Sequence, residues 1–127
     1  MITVYTDGSQ KEICYIIERE NHEETIIVPF AKSTTGNRAE YCAIIQALIA
    51  VLKLPPCEVQ ILSDSELAVK QILGQYATRS PELIKLWREV WALREQARER
   101  GYQIDFRHIP REINSAGKVL EERSKRK

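Results

Sequence analysis

The alternation of apolar and polar positions divides the chain into strand-like and helix-like stretches whose order specifies an architecture. Residues 2–7 form a short apolar run that Asp7 closes, the pattern of a buried strand. From 12 to 19 apolar residues fall on both sides, with Ile13, Tyr15 and Ile17 on one and Cys14 and Ile16 on the other. Asn21-His22 supplies a turn, and residues 24–30 return as a third strand, completing an antiparallel meander. A helical pattern then runs from Asn37 to about Leu52, where Ala39, Ala43 and Ala47 leave room for the helix to approach a sheet closely beside Glu40. Pro55-Pro56 stops it. Glu58–Ser63 reads as a fourth strand and Ser65 to about Gln75 as a short helix. Ser80-Pro81 opens a longer helix, a serine cap followed by proline at the first helical position, and Gly101 closes it. Its stripe of Leu83, Leu86, Trp87, Val90, Leu93 and Ala97 predicts a core-facing side rather than a platform for stacked bases. Residues 102–109 form the fifth strand, and a last helix starts at Asn114. The order predicts an α/β fold, a mixed five-stranded sheet with helices on both faces, in one domain spanning 1–127.

Composition narrows the picture without changing it. Hydrophobic content of 43% and charged content of 29% describe an ordinary globule able to bury a core. No apolar run approaches the ~20 residues of a membrane span, and Met1 leads directly into a strand with no signal-like stretch before it. Cys14, Cys42 and Cys57 are odd in number and lack metal spacing, so buried thiols in a reducing cytoplasm are expected. The net charge of +1 predicts only weak whole-protein attraction to nucleic acid. Basic residues are nevertheless gathered in the tail Arg123–Lys127 and along the helix bearing Arg88, Arg94, Arg98 and Arg100.

The chemistry lies in three acids from three segments. Asp7 and Asp64 end apolar runs, and Glu40 sits near the start of a helical one. A carboxylate at the tip of a buried strand is costly unless a cation neutralises it. Three that converge repel one another unless a divalent ion lies between them. The sequence therefore points to a Mg²⁺ site and phosphoryl chemistry.

The blocks Tyr5-Thr6-Asp7-Gly8-Ser9, Asn37-Arg38-Ala39-Glu40-Tyr41, Ser63-Asp64-Ser65 and His108-Ile109-Pro110-Arg111-Glu112-Ile113-Asn114, in that order, resemble the type 1 ribonuclease H family over nearly the whole chain. The resemblance implies a ribonuclease H-like fold and a monomeric, metal-dependent endonuclease that hydrolyses the RNA strand of RNA–DNA hybrids. It implies Asp7, Glu40 and Asp64 as ligands of Mg²⁺, with Mn²⁺ as a substitute. Two ions would serve, one activating water and one stabilising the leaving 3′ oxygen. His108 corresponds to a histidine that assists proton transfer. Gly8, Ser9, Thr35 and Asn37 correspond to substrate contacts, while Arg38 is a contact or an ordinary surface ion-pair residue.

The chain departs from the family at its last acid. Lys118 stands four residues after Asn114, where the family has an aspartate, and Leu120 remains in register beyond it. Two consequences are open: Lys118 supplies a fixed positive charge and leaves a one-metal site, or Glu121 or Glu122 reaches back to replace the carboxylate. Further departures are the short Gln10-Lys11 link, Gly36 in place of a second asparagine, the charged Glu66 after Asp64-Ser65, and no basic insertion between Gln75 and Pro81. These, with the low net charge, keep a second reading in play: a catalytically impaired module that binds nucleic acid or protein.

Overall fold

The computed structural model describes residues 1–126. Five strands are joined in the order β3-β2-β1-β4-β5, where β1 is Ile2–Gly8, β2 Glu12–Arg19, β3 His22–Pro29, β4 Glu58–Ser63 and β5 Gln103–His108. The first three form the expected antiparallel meander, and β4 and β5 add in parallel to β1. Four helices complete the fold: α1 Gly36–Val51, α2 Glu66–Ile72, α3 Pro81–Glu99 and α4 Ser115–Ser124.

The period-two pattern of β2 sorts its side chains as the sequence suggests. Ile13, Tyr15 and Ile17 join the large core beneath α1 and α3, with Val4, Ile61 and Phe106 from neighbouring strands. Cys14 and Ile16 face the other way, into a smaller cluster closed by Ala116 and Leu120 of α4. On α3, Val90 is fully buried and Leu86 and Trp87 pack half-buried on the core. The Trp87 indole N–H donates to the Gln71 carbonyl at 2.9 Å. Trp91 is half-buried, its ring 6.0 Å from that of Trp87.

Three local expectations are corrected. The β2–β3 turn is Glu20-Asn21, so His22 is the first residue of β3, paired with Arg19 and exposed. Asn21 takes the left-handed conformation, φ 60°, which a short polar side chain tolerates. Helix α2 stops at Ile72, not near Gln75, because Gly74 adopts φ 79° and the amides of Gln75 and Tyr76 turn back to the Lys70 carbonyl. A single 3-10 turn, Arg111–Ile113, precedes α4. It matters because it aims Arg111. Of the basic tail, Lys127 lies outside the described residues.

The approach of α1 to β1 is tight enough to test. A methyl group placed on Gly8 would meet the Ala39 carbonyl carbon and oxygen at 2.4 Å, both backbone atoms that cannot rotate away. Gly8→Ala must therefore push α1 off the strand tip, with an expected loss of about 3 kcal/mol as for an overpacked core. Urea denaturation checks this, and an unchanged midpoint would contradict the packing described.

Candidate active site

Parallel pairing places the acids. Because β1 and β4 run side by side with Thr6 opposite Ser63, the next residues fall together at the carboxyl ends of the strands: Asp7, still paired with Cys14 of β2, and Asp64, the first residue past β4. Helix α1 lays its small-residue face on the sheet, with Ala39, Ala43 and Ala47 all fully buried, and this carries Glu40 to the same point. One carboxylate oxygen from each of Asp7, Glu40 and Asp64 lies within 4.8 Å of the others. Asp7 is 2% exposed.

Glu40 and Asp64 are held by specific donors. The Gly8 amide donates to Glu40 Oε1 at 2.8 Å. Asn114, wholly buried, donates through Nδ2 to Asp64 Oδ2 at 3.0 Å and to the Thr6 carbonyl at 2.9 Å, tying α4 to both strands. Arg111 Nη1 lies 3.2 Å from Asp64 Oδ2 and 3.6 Å from Asp7 Oδ1. Burial, reinforced by the Asp64 charge, pushes the Asp7 carboxyl up to about 6 despite Arg111. Burial again, then the charges of Asp7 and Asp64, pushes Glu40 up to about 9. Without a further cation the cluster holds protons it would lose in water. Asp7 Oδ1 is buried without a hydrogen-bond partner. The all-oxygen donor set, its crowding and this orphaned atom fit a divalent metal ion.

The remaining expected site residues are placed unequally. His108 ends β5 opposite Ser63, the residue that precedes Asp64, and is exposed. Thr35 caps α1, its hydroxyl accepting from the Arg38 amide at 3.2 Å, and Asn37 is exposed in the first turn. Arg38 pairs with Glu82 at 3.5 Å, the surface-pair reading of that residue. Ser9 donates its hydroxyl to the Glu12 carbonyl and accepts from the Lys11 and Glu12 amides, so the turn engages its full bonding capacity. Glu66 pairs with Lys70 at 3.1 Å and accepts from the Tyr76 hydroxyl at 3.0 Å, which offsets the charge expected to repel phosphate.

Lys118 is the main correction. It is exposed and lines a separate cavity with Ile27, Val119, Glu122 and Arg123. Among the described residues it makes no ion pair within 4.0 Å, and the cation beside Asp7 and Asp64 is Arg111. Glu121 and Glu122 do not reach back either: Glu121 pairs with Lys125 at 3.5 Å, and Glu122 belongs to the Lys118 cavity. The α4 residue that faces the acids is Gly117, where an added Cβ would lie 3.3 Å from Asp64 Oδ2 and 3.4 Å from Asp7 Oδ2.

Arg111 and Asn114 are thus the positioning residues that a search for acids passes over. Their signal in the sequence is the His108–Asn114 block, in which Asn114 marks the register of α4 and Arg111 is the one basic residue besides His108. Asn114→Ala removes two buried donors and strands the Thr6 carbonyl and Asp64. A loss of about 2–3 kcal/mol is expected in thermal denaturation, and a variant as stable as wild type would refute this role.

Comparison with known proteins agrees with the geometry. The RNase H family model matches residues 1–112. A bifunctional protein of Mycobacterium tuberculosis is 36% identical over 81 residues, 64% of this chain but only 21% of that protein. The chain therefore spans about a fifth of that curated relative. Among solved structures, LC11 RNase H1 in complex with an RNA/DNA hybrid superposes with a TM-score of 0.77 at 32% identity, covering 94% of this chain and 93% of that one. RNase H1 of the halophilic archaeon Halobacterium salinarum gives a TM-score of 0.79 at 22% identity over 99% and 98%, a likeness of fold.

Proposed function

Because the chain belongs to the RNase H family, whose members work with divalent metal, we propose that it is an endonuclease hydrolysing the RNA strand of RNA–DNA hybrids with Mg²⁺, or Mn²⁺ in its place. The observation that carries this is the convergence of Asp7, Glu40 and Asp64 within 4.8 Å, with a buried Asp7 oxygen left without a hydrogen-bond donor. The bound metal would supply Lewis-acid stabilisation of charge at the scissile phosphate and a water made acidic enough to attack it.

The chain's own residues prepare that chemistry. The Gly8 amide fixes Glu40, and Asn114 fixes Asp64, so the carboxylates are set before the metal arrives. His108, exposed at the end of the strand beside β4, would carry a proton between the site and solvent. The exposed first turn of α1, with Thr35 and Asn37, borders the same face and is the proposed surface for the hybrid. Reading of 2′-hydroxyls across a minor groove would select the RNA strand. The three free thiols suit a reducing compartment.

One observation favours the second reading: α4 brings Gly117 rather than a carboxylate to the centre, and Lys118 turns away. Incubation of the protein with a hybrid labelled on either strand separates the two. Metal-dependent cutting confined to the RNA strand supports the nuclease, and tight binding without cutting supports the impaired module.

A further inference from the structure

We propose that the Arg111 guanidinium is the second positive charge of this centre, so that Asp7, Glu40 and Asp64 take up one divalent cation rather than two. This rests on the metal-dependent reading above and deepens it.

The first support is position. Arg111 Nη1 meets two of the three carboxylates, 3.2 Å from Asp64 Oδ2 and 3.6 Å from Asp7 Oδ1, as a positive charge already beside the cluster. The 3-10 turn Arg111–Ile113 delivers it there, and Asn114 at the end of that turn is pinned to Asp64 and Thr6. The base of the arginine is therefore fixed relative to the acids it meets.

The second support is closure. The backbone of α4 approaches the acids at Gly117, where even a methyl group would lie 3.3 Å from Asp64 Oδ2, 3.4 Å from Asp7 Oδ2 and 3.7 Å from Arg111 Nη1. That side of the cluster offers a glycine and a guanidinium and no oxygen ligand. Among the described residues no fourth carboxylate joins the group.

The third support is charge. Three carboxylates carry three negative charges, which one divalent ion and one guanidinium balance. In the site without nucleic acid, two divalent ions beside the same guanidinium would leave an excess of two positive charges in a partly buried place, which desolvation opposes. Arginine suits the role because it stays charged at every working pH, and here one nitrogen, Nη1, faces both carboxylates. It neutralises the carboxylates it meets but cannot acidify a bound water as a metal does. Its action is on the carboxylates, so it is a positioning residue.

The test counts ions and measures turnover separately. Calorimetric titration with Mn²⁺, without nucleic acid, should give one ion per wild-type chain. Arg111→Ala should take up a second, weaker ion because three carboxylates are then left with one cation. On a labelled hybrid at saturating Mn²⁺, Arg111→Ala should lower kcat by about 100-fold with KM little changed, as for loss of one preorganised charge partner, and Arg111→Lys should recover about tenfold of it. Two ions on the wild-type chain, one ion on both proteins, or a kcat for Arg111→Ala equal to wild type would each overturn the proposal. If the wild-type chain cuts no hybrid, the nuclease reading fails by itself, and the ion counts still decide the role of Arg111.

Discussion

Asp64→Asn is expected to reduce cleavage of the RNA strand by about 10³-fold or more in Mg²⁺. The amide keeps the size and planarity of the side chain, so the fold and the approach of Asn114 should survive. What is lost is one of three negative charges facing the metal, together with the charge that Arg111 meets at 3.2 Å. An interaction of several kcal/mol between metal and transition state translates into about three decades of rate at 1.36 kcal/mol per decade. Strand-specific cleavage assays measure the rate, and circular dichroism establishes that the variant is folded. A folded Asp64→Asn protein within tenfold of wild type would remove the carboxylate centre from the mechanism.

The second large effect concerns stability, and its sign follows from the raised acids. Asp7 moves from 3.8 to about 6 and Glu40 from 4.5 to about 9 in the metal-free fold. The native state therefore binds more protons than the unfolded chain between about pH 4 and pH 9, and stability falls as pH rises through that window. The metal-free protein should be more stable at pH 5 than at pH 8, because at pH 5 both groups keep protons that the unfolded chain has largely lost. Divalent metal acts in the opposite sense: it displaces the protons and binds only the folded site, adding about 2.7 kcal/mol at a hundred times its Kd. The rise in Tm on adding Mn²⁺ should thus be greater at pH 8 than at pH 5. Glu40→Gln, which retains an oxygen for the Gly8 amide, should make the metal-free protein more stable at pH 8 and weaken the metal response. Thermal melts over this pH range with and without Mn²⁺ check all of this, and a metal-free protein that gains stability toward pH 8 would contradict the electrostatics of the cluster.

Both effects come from geometry that the sequence described only in part. The strands, four helices and sheet class were legible because each rests on a local rule. Period two sorts Ile13, Tyr15 and Ile17 from Cys14 and Ile16, and Ser80-Pro81 states where α3 begins. Misplaced boundaries fell where one backbone angle decides. Gly74 ends α2 early, and Asn21, not His22, bends the β2–β3 hairpin.

The sequence by itself determined the set of acids. Asp7 and Asp64 terminate apolar strands, Glu40 sits among alanines that let its helix approach, and those placements follow from pattern and side-chain size. Only the tertiary structure decided which cation meets them. Lys118 stands at the expected register position, yet helix α4 is oriented so that Gly117 faces the acids and Lys118 faces outward, while a 3-10 turn brings Arg111 inward. Register fixes a residue's place along the chain. The direction of a long side chain depends on how its helix is rotated against the sheet, here through the packing of Ala116 and Leu120 and the bonds of Asn114, and that rotation is set by contacts between segments about a hundred residues apart.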